Sequence, residues 1–191
     1  MVERLVDAIV DYQIKNGSLN DSERSVYLYG YTLLLEKVIN IIVALLICVV
    51  SGRWIEVGLL LLCIMPLRSY AGGWHAKKFL NCTFISNSII IVGLLFYKFL
   101  HLQLLYYFFI ETVIFAIIIY MAPVQHNSRV LSDNERRVYK RNCLLIWGIE
   151  CIAIAWLIHF TLEKYALIIL YSHLMVSVAL IMGKPDRTTR K

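Results

Sequence analysis

The length of its apolar runs constrains this chain more than any other feature. Stretches almost free of charge fall at about 33–50, 55–67, 83–100, 102–122, 143–160 and 165–183. A helix rises about 1.5 Å per residue, so roughly 20 apolar residues cross the hydrocarbon of a bilayer. Lipid offers no partner to backbone N–H and C=O groups, and a helix satisfies them within its own segment. The runs therefore predict an all-α, polytopic integral membrane protein with six transmembrane helices. The second run is short and ends at Pro66, which predicts a tilted, thinned or partly re-entrant segment. Composition agrees, with 60% hydrophobic and 17% charged residues, against about 45–50% and 25% in soluble domains.

Orientation follows from lysine and arginine, which are retained on the cytoplasmic side of spanning helices. Arg68, Lys77 and Lys78 lie between the second and third runs, and Arg129, Arg136, Arg137, Lys140 and Arg141 between the fourth and fifth. Lys184, Arg187, Arg190 and Lys191 form the tail, whereas the alternate connections hold only Arg53, Lys98 and Lys164. Both termini are thus expected in the cytoplasm. The net charge of +6 is topological, and with no basic stripe on a folded soluble surface no nucleic acid is expected as a partner. Membrane lipid is.

The N-terminus shows no cleavable signal pattern, because acidic and polar residues precede any apolar run. Val2, Leu5, Val6, Ile9 and Val10 recur at helical spacing, opposite Glu3, Arg4, Asp7 and Asp11. Residues 1–17 are therefore expected to form an amphipathic helix lying in the interface and ended by Asn16-Gly17. Asn20 with Glu23 predicts a capped start for the next helix, and Tyr27, Tyr29 and Tyr31 predict an aromatic belt.

Four of the five cysteines, Cys48, Cys63, Cys143 and Cys151, sit in or at the ends of apolar runs without paired spacing, which predicts packing and no disulfide framework. Cys82 differs, because it closes a polar, basic stretch that breaks the apolar pattern at 66–87. There Gly72-Gly73 allows a turn and a close backbone approach, His75 supplies a base that titrates near neutrality, and Cys82 supplies a nucleophile. Arg68, Lys77 and Lys78 make the surroundings positive, which favours thiolate over thiol. Residue types alone leave a second reading open, an interfacial histidine beside a buried thiol. One His and one Cys make at most half a zinc site, so no metal and no cofactor are expected. His126 has no partner in its loop, and His101, His159 and His173 are expected to anchor span ends.

The arrangement Arg68, Gly72-Gly73, an aromatic residue, His75 and Cys82 resembles the processing endopeptidases of the accessory gene regulator B family of Gram-positive bacteria. Ala122-Pro123-Val124, Asn127 and Glu135-Arg136-Arg137 with Lys140 are similar to that family's second basic loop, and the resemblance covers essentially the whole chain. It implies one membrane-embedded peptidase domain over 1–191, with a catalytic cytoplasmic loop at 68–82 and a second basic loop at 123–142. It further implies that His75 and Cys82 form a cysteine-protease dyad acting on a small precursor peptide. The product would be an acyl-enzyme thioester, which a thiol of the precursor resolves to a cyclic thiolactone for quorum sensing. Arg68, Gly72, Gly73, Lys77 and Lys78 are the expected substrate-binding residues, and a homodimer is a further partner state compatible with the resemblance. A non-enzymatic peptide exporter or membrane assembly partner is the competing class.

Geometry limits the dyad. A continuous helix over 75–82 would hold the two residues about 10.5 Å apart along its axis, whereas a working pair needs roughly 2.6–3.2 Å. The chain is therefore expected to bend between Ala76 and Asn81, or at Gly72-Gly73. No carboxylate lies near in sequence to orient the imidazole, so the third member is expected from another element, from a backbone carbonyl, or from Asn81 or Asn87. Among acids inside the spans, Glu111 and Glu150 stand out, while Glu36 can pair with Lys37 or lie near an interface.

Overall fold

The structure, a computed structural model, describes residues 2–74, 79–124 and 131–183. It comprises α1 (Val2–Lys15), a short 3-10 turn (Asp21–Glu23), α2 (Arg24–Ser51), α3 (Trp54–Ala71), α4 (Phe79–Phe99), α5 (Leu104–Met121), α6 (Asp133–His159) and α7 (Glu163–Met182). From α2 onward, six helices are long and apolar enough to cross a membrane. Large apolar side chains such as Val50, Phe108 and Tyr120 point outward, exposed by 88%, 75% and 86%. Water would not tolerate so continuous an apolar surface, so this face is built for lipid. The protein is an all-α polytopic membrane protein.

Helix α7 is the central post. Residues 166–173 are buried without interruption, and α3, α4, α5 and α6 all pack against it. Cys63 and Leu67 of α3, Ile114 and Ile118 of α5, Cys143 and Ile154 of α6 and Leu170 and Val176 of α7 form one cluster. Ala44 and Cys48 of α2, Val57 and Leu60 of α3, Ile90 of α4 and Tyr171 of α7 form a second. In lipid such contacts are held by close packing and interhelical hydrogen bonds rather than by expulsion of water. Gly93 shows this, because a Cβ there would stand 2.9 Å from the Tyr171 ring. The missing side chain lets α4 approach α7 until the Tyr171 hydroxyl donates to the Ile89 carbonyl at 2.9 Å.

The second span is not cut short at Pro66. Helix α3 runs through it to Ala71, for 18 residues. The proline removes one helical donor, but Leu67 and Ala71 just beyond it are fully buried, and packing of this kind carries a proline through a spanning helix. The expected capped start at Asn20 is also modified. Asn20 precedes the 3-10 turn without a side-chain cap bond, and α2 proper begins at Arg24.

The N-terminal helix forms as its periodicity predicts, and one edge of its apolar stripe is covered. Val6 and Val10 are buried where α1 packs on α2, while Leu5 and Ile9 remain exposed. Arg24 ties the two helices from the polar side, donating to Asp11 at 2.9 Å and Asp7 at 3.3 Å.

Candidate functional site

Sequence-distant motifs meet at one end of the bundle, where α3, α5 and α7 end and α4 and α6 begin. Helix α3 stops at Ala71 because Gly72 has φ +70 and Gly73 φ +115, a region that favours glycine. Gly72 then lies beside Val124 as an isolated parallel bridge, with the Val124 N–H donating to the Ala71 carbonyl at 2.9 Å. The Gly-Gly turn and the Ala122-Pro123-Val124 motif, some fifty residues apart, are thus one piece of structure. A Cβ on Gly72 would lie 2.0 Å from the Val124 carbonyl oxygen, and one on Gly73 would lie 2.4 Å from Arg68 and 2.6 Å from the Ala179 carbonyl of α7. Trp74 is fixed in turn, its N–H donating to the Ala179 carbonyl at 2.8 Å and its carbonyl accepting from Arg68 Nη2. The backbone is pinned from three directions up to the residue before His75.

Cys82 lies in the first turn of α4 rather than at the end of a loop, and it is buried. The helical start places it near the positive end of the α4 dipole. Arg68, in the last turn of α3, is close enough to Cys82 to interact electrostatically, and its Nη1 is buried with no hydrogen-bond partner among the described residues. Glu36 of α2 shares a side-chain hydrogen bond with Cys82. Glu36, expected to pair with Lys37 or to lie near an interface, is buried against Cys82, while Lys37, about 100° further round the helix, is exposed.

The contact was legible in part. Glu36, Asn40, Ala44 and Cys48 recur every four residues and so share one face of α2, and Asn40 Oδ1 accepts from Asn87 of α4 at 3.1 Å. That face meets α4 at Glu36 and Asn40. Asn87, whose amide also donates to the Thr83 carbonyl at 2.7 Å, is thus committed to joining the two helices.

The segments expected as loops at 68–82 and 123–142 are shorter than that, since residues 68–71, 79–82 and 133–142 are helical. His75, Lys77, Lys78, His126 and Asn127 lie outside the described residues. Helix α6 starts at a capping box, with the Ser132 hydroxyl accepting from the Glu135 N–H and Glu135 Oε2 from the Ser132 N–H. It carries Arg136, Arg137 and Lys140 to the wall of a cavity of about 310 Å³, with Asp133 and, from the α5 end, Tyr120, Met121, Ala122 and Pro123.

This end of the chain carries the second basic segment directly against the Gly-Gly turn, and the family model for accessory gene regulator B matches residues 6–180. The chain belongs to the accessory gene regulator B family. No curated protein and no solved structure matches it. Membership supports a role in the accessory gene regulator system.

A second polar cluster of this accessory gene regulator B protein lies deeper in the bundle, its histidine six residues along α7 from Ala179. His173 is not at a span end: it is the eleventh residue of α7 and fully buried. Its Nδ1 is 2.7 Å from Glu111 Oε1 of α5, and its Nε2 is 2.7 Å from Glu150 Oε2 of α6. Glu111 Oε2 also accepts from Trp147 Nε1 at 3.0 Å and from the Cys151 thiol at 3.6 Å. Buried carboxylates need such partners, and here one imidazole serves two. The acids were visible in the sequence, but their common partner comes from a third helix with no local spacing to announce it. Cys151 is likewise more than packing, whereas Cys48, Cys63 and Cys143 are buried in the apolar clusters.

Proposed function

We propose that this protein is a membrane cysteine endopeptidase that removes the C-terminal part of a small autoinducing-peptide precursor and permits its cyclisation for quorum sensing. Cys82 is the nucleophile and His75 the general base. The observation that supports this most directly is the surroundings of Cys82, a buried thiol in the first turn of α4 beside a guanidinium and a carboxyl group from another helix. Positive charge and a helix N-terminus stabilise a thiolate. The Glu36 carboxylate opposes that charge while it accepts from the thiol, and in this reading it neutralises the imidazolium once the proton has passed to His75. Glu36 is thus our choice for the third, positioning member.

The Cys82 thiolate attacks the scissile carbonyl, and the carbonyl electron pair moves onto oxygen. When that tetrahedral adduct collapses, the C–N bond breaks and the His75 imidazolium gives its proton to the departing amine. The C-terminal fragment leaves, and the rest of the precursor stays on Cys82 as a thioester. A thiol or hydroxyl of the precursor then attacks the thioester carbonyl, losing its proton to His75 and returning the Cys82 thiolate, so the ring closes as a thiolactone or lactone. For the thiol, one thioester replaces another, so hydrolysis is the main competitor and exclusion of water favours the ring.

Arg68, Gly72, Gly73, Lys77 and Lys78 hold the precursor in this reading, and Arg136, Arg137 and Lys140 around the cavity suit an acidic segment of it. By the positive-inside rule, the end bearing these residues faces the cytoplasm of a Gram-positive cell, with both termini on that side. The deciding experiment reconstitutes the protein with candidate precursors and looks by mass spectrometry for a covalent adduct on Cys82. Cys82→Ala and His75→Ala should insert normally and cleave nothing. Unchanged cleavage by either variant would remove the peptidase reading in favour of an exporter or assembly partner.

A further inference from the structure

Among the described residues outside the proposed peptidase site, a concentrated set of polar groups surrounds His173. Glu111, Cys151 and His173 each offer a ligand atom, and these atoms all lie within 4.8 Å of one another. They come from α5, α6 and α7, three helices that pack on one another. We propose that they bind a transition-metal ion of the zinc class, which joins the three helices through His173 Nδ1, a Glu111 carboxylate oxygen and Cys151 Sγ.

Donor chemistry selects the class. One imidazole nitrogen, one thiolate and one carboxylate suit zinc and its neighbours, whereas magnesium and calcium take oxygen donors. The outer contacts are also in place. A metal-bound histidine commonly donates its other ring N–H to a carboxylate, which fixes its tautomer and orientation, and here Glu150 stands 2.7 Å from Nε2. Trp147 Nε1 holds the remaining side of Glu111 at 3.0 Å. Three protein ligands leave a fourth tetrahedral position for water or the second Glu111 oxygen.

Distances and charge both allow the exchange. Bonds of about 2.0–2.3 Å in a tetrahedron place neighbouring ligand atoms roughly 3.3–3.7 Å apart. Cys151 Sγ is already 3.6 Å from Glu111 Oε2, while His173 Nδ1 and Glu111 Oε1, at 2.7 Å, must separate by less than an ångström or so. A neutral imidazole has one N–H, so two short contacts to carboxyl groups require a further shared proton. A divalent ion displaces the proton between Nδ1 and Glu111 together with the Cys151 thiol proton, as metal binding to such ligands does. Two positive charges leave as two arrive, and the buried cluster keeps its net charge.

The joined helices matter to the rest of the molecule because α7 carries Ala179, whose carbonyl holds Trp74. Ala179 lies six residues beyond His173, about 9 Å along the helix. An ion here would fix the height and rotation of the post on which the Gly-Gly turn rests. This proposal does not depend on the peptidase reading, and its test needs no precursor.

The full chain, purified in detergent micelles and stripped with a chelator, is titrated with cobalt(II) as a spectroscopic stand-in for zinc. One cobalt per chain is expected, with the thiolate-to-metal charge-transfer absorption that marks a bound cysteine. Cys151→Ser should lose that absorption, Cys82→Ser should keep it, and Glu150→Gln should weaken binding by about 10–100-fold. X-ray absorption at the zinc edge of the unaltered protein should show a single sulfur neighbour, a reading that holds even if Cys151→Ser fails to fold. Failure of the wild-type chain to bind, absorption that survives in Cys151→Ser or vanishes in Cys82→Ser, or a zinc shell without sulfur would each overturn the proposal.

Discussion

Replacing Gly72 by alanine adds one methyl group where the structure has no room for it. The residue sits at φ +70, where an L side chain costs about 1–2 kcal/mol. The new Cβ would also fall 2.0 Å from the Val124 carbonyl oxygen, so the two strands of chain must move apart by more than an ångström. That displacement breaks the hydrogen bond from the Val124 N–H to the Ala71 carbonyl, worth about 0.5–1.5 kcal/mol. The sum is about 1.5–3.5 kcal/mol, or a fall in melting temperature of roughly 3–14 °C for a chain of this size. Gly148→Ala is the control, because nothing lies within 4 Å of a Cβ there and alanine gains about 0.8–1 kcal/mol over glycine inside a helix. Thermal unfolding in detergent, followed by tryptophan fluorescence, should therefore move in opposite directions for the two variants. A Gly72→Ala protein that melts with the wild type, or a Gly148→Ala protein that falls as far, would refute the claim that the Gly-Gly turn and the Val124 segment are locked together.

Glu36→Gln keeps the size of the side chain beside Cys82 and should leave the melting temperature nearly unchanged while slowing precursor cleavage by about 100-fold; wild-type initial rates in proteoliposomes would exclude Glu36 from the site. His173→Leu removes the partner that the buried Glu150 and the part-buried Glu111 share, an effect of about 3–5 kcal/mol for a broken buried pair, and gel filtration should show little folded protein. Tyr171→Phe removes only the bond to the Ile89 carbonyl and should cost about 0.6–1.5 kcal/mol, which chemical denaturation can resolve. Val10→Asp places an unpaired charge in the buried contact between α1 and α2 and should release α1, seen as faster proteolysis within the first twenty residues while the spanning helices stay protected.

Much of the fold was readable residue by residue. The six runs became six spanning helices, and the Val6/Val10 stripe became the covered edge of α1. Pro66 misled because a proline reads as a stop when only its own helix is considered, yet α3 is held by its neighbours on both sides of it. For the candidate site, Cys82, Arg68 and the Gly-Gly turn stood out as breaks in an apolar pattern. Glu36 was passed over because a pair with Lys37 or a place near an interface would account for it, and only the α2–α4 packing turns it toward Cys82.

Helix number, helix length and the concentration of basic residues at one end are local properties, set by how each segment of about 20 residues meets lipid or water. The sequence by itself determined these. Which helix faces meet was decided only when α7 took the centre of the bundle, bringing His173 between acids from α5 and α6 and Ala179 against Trp74. Close packing and interhelical hydrogen bonds drive that choice. They join residues dozens of positions apart, and no periodicity within a single helix records the partner it will find.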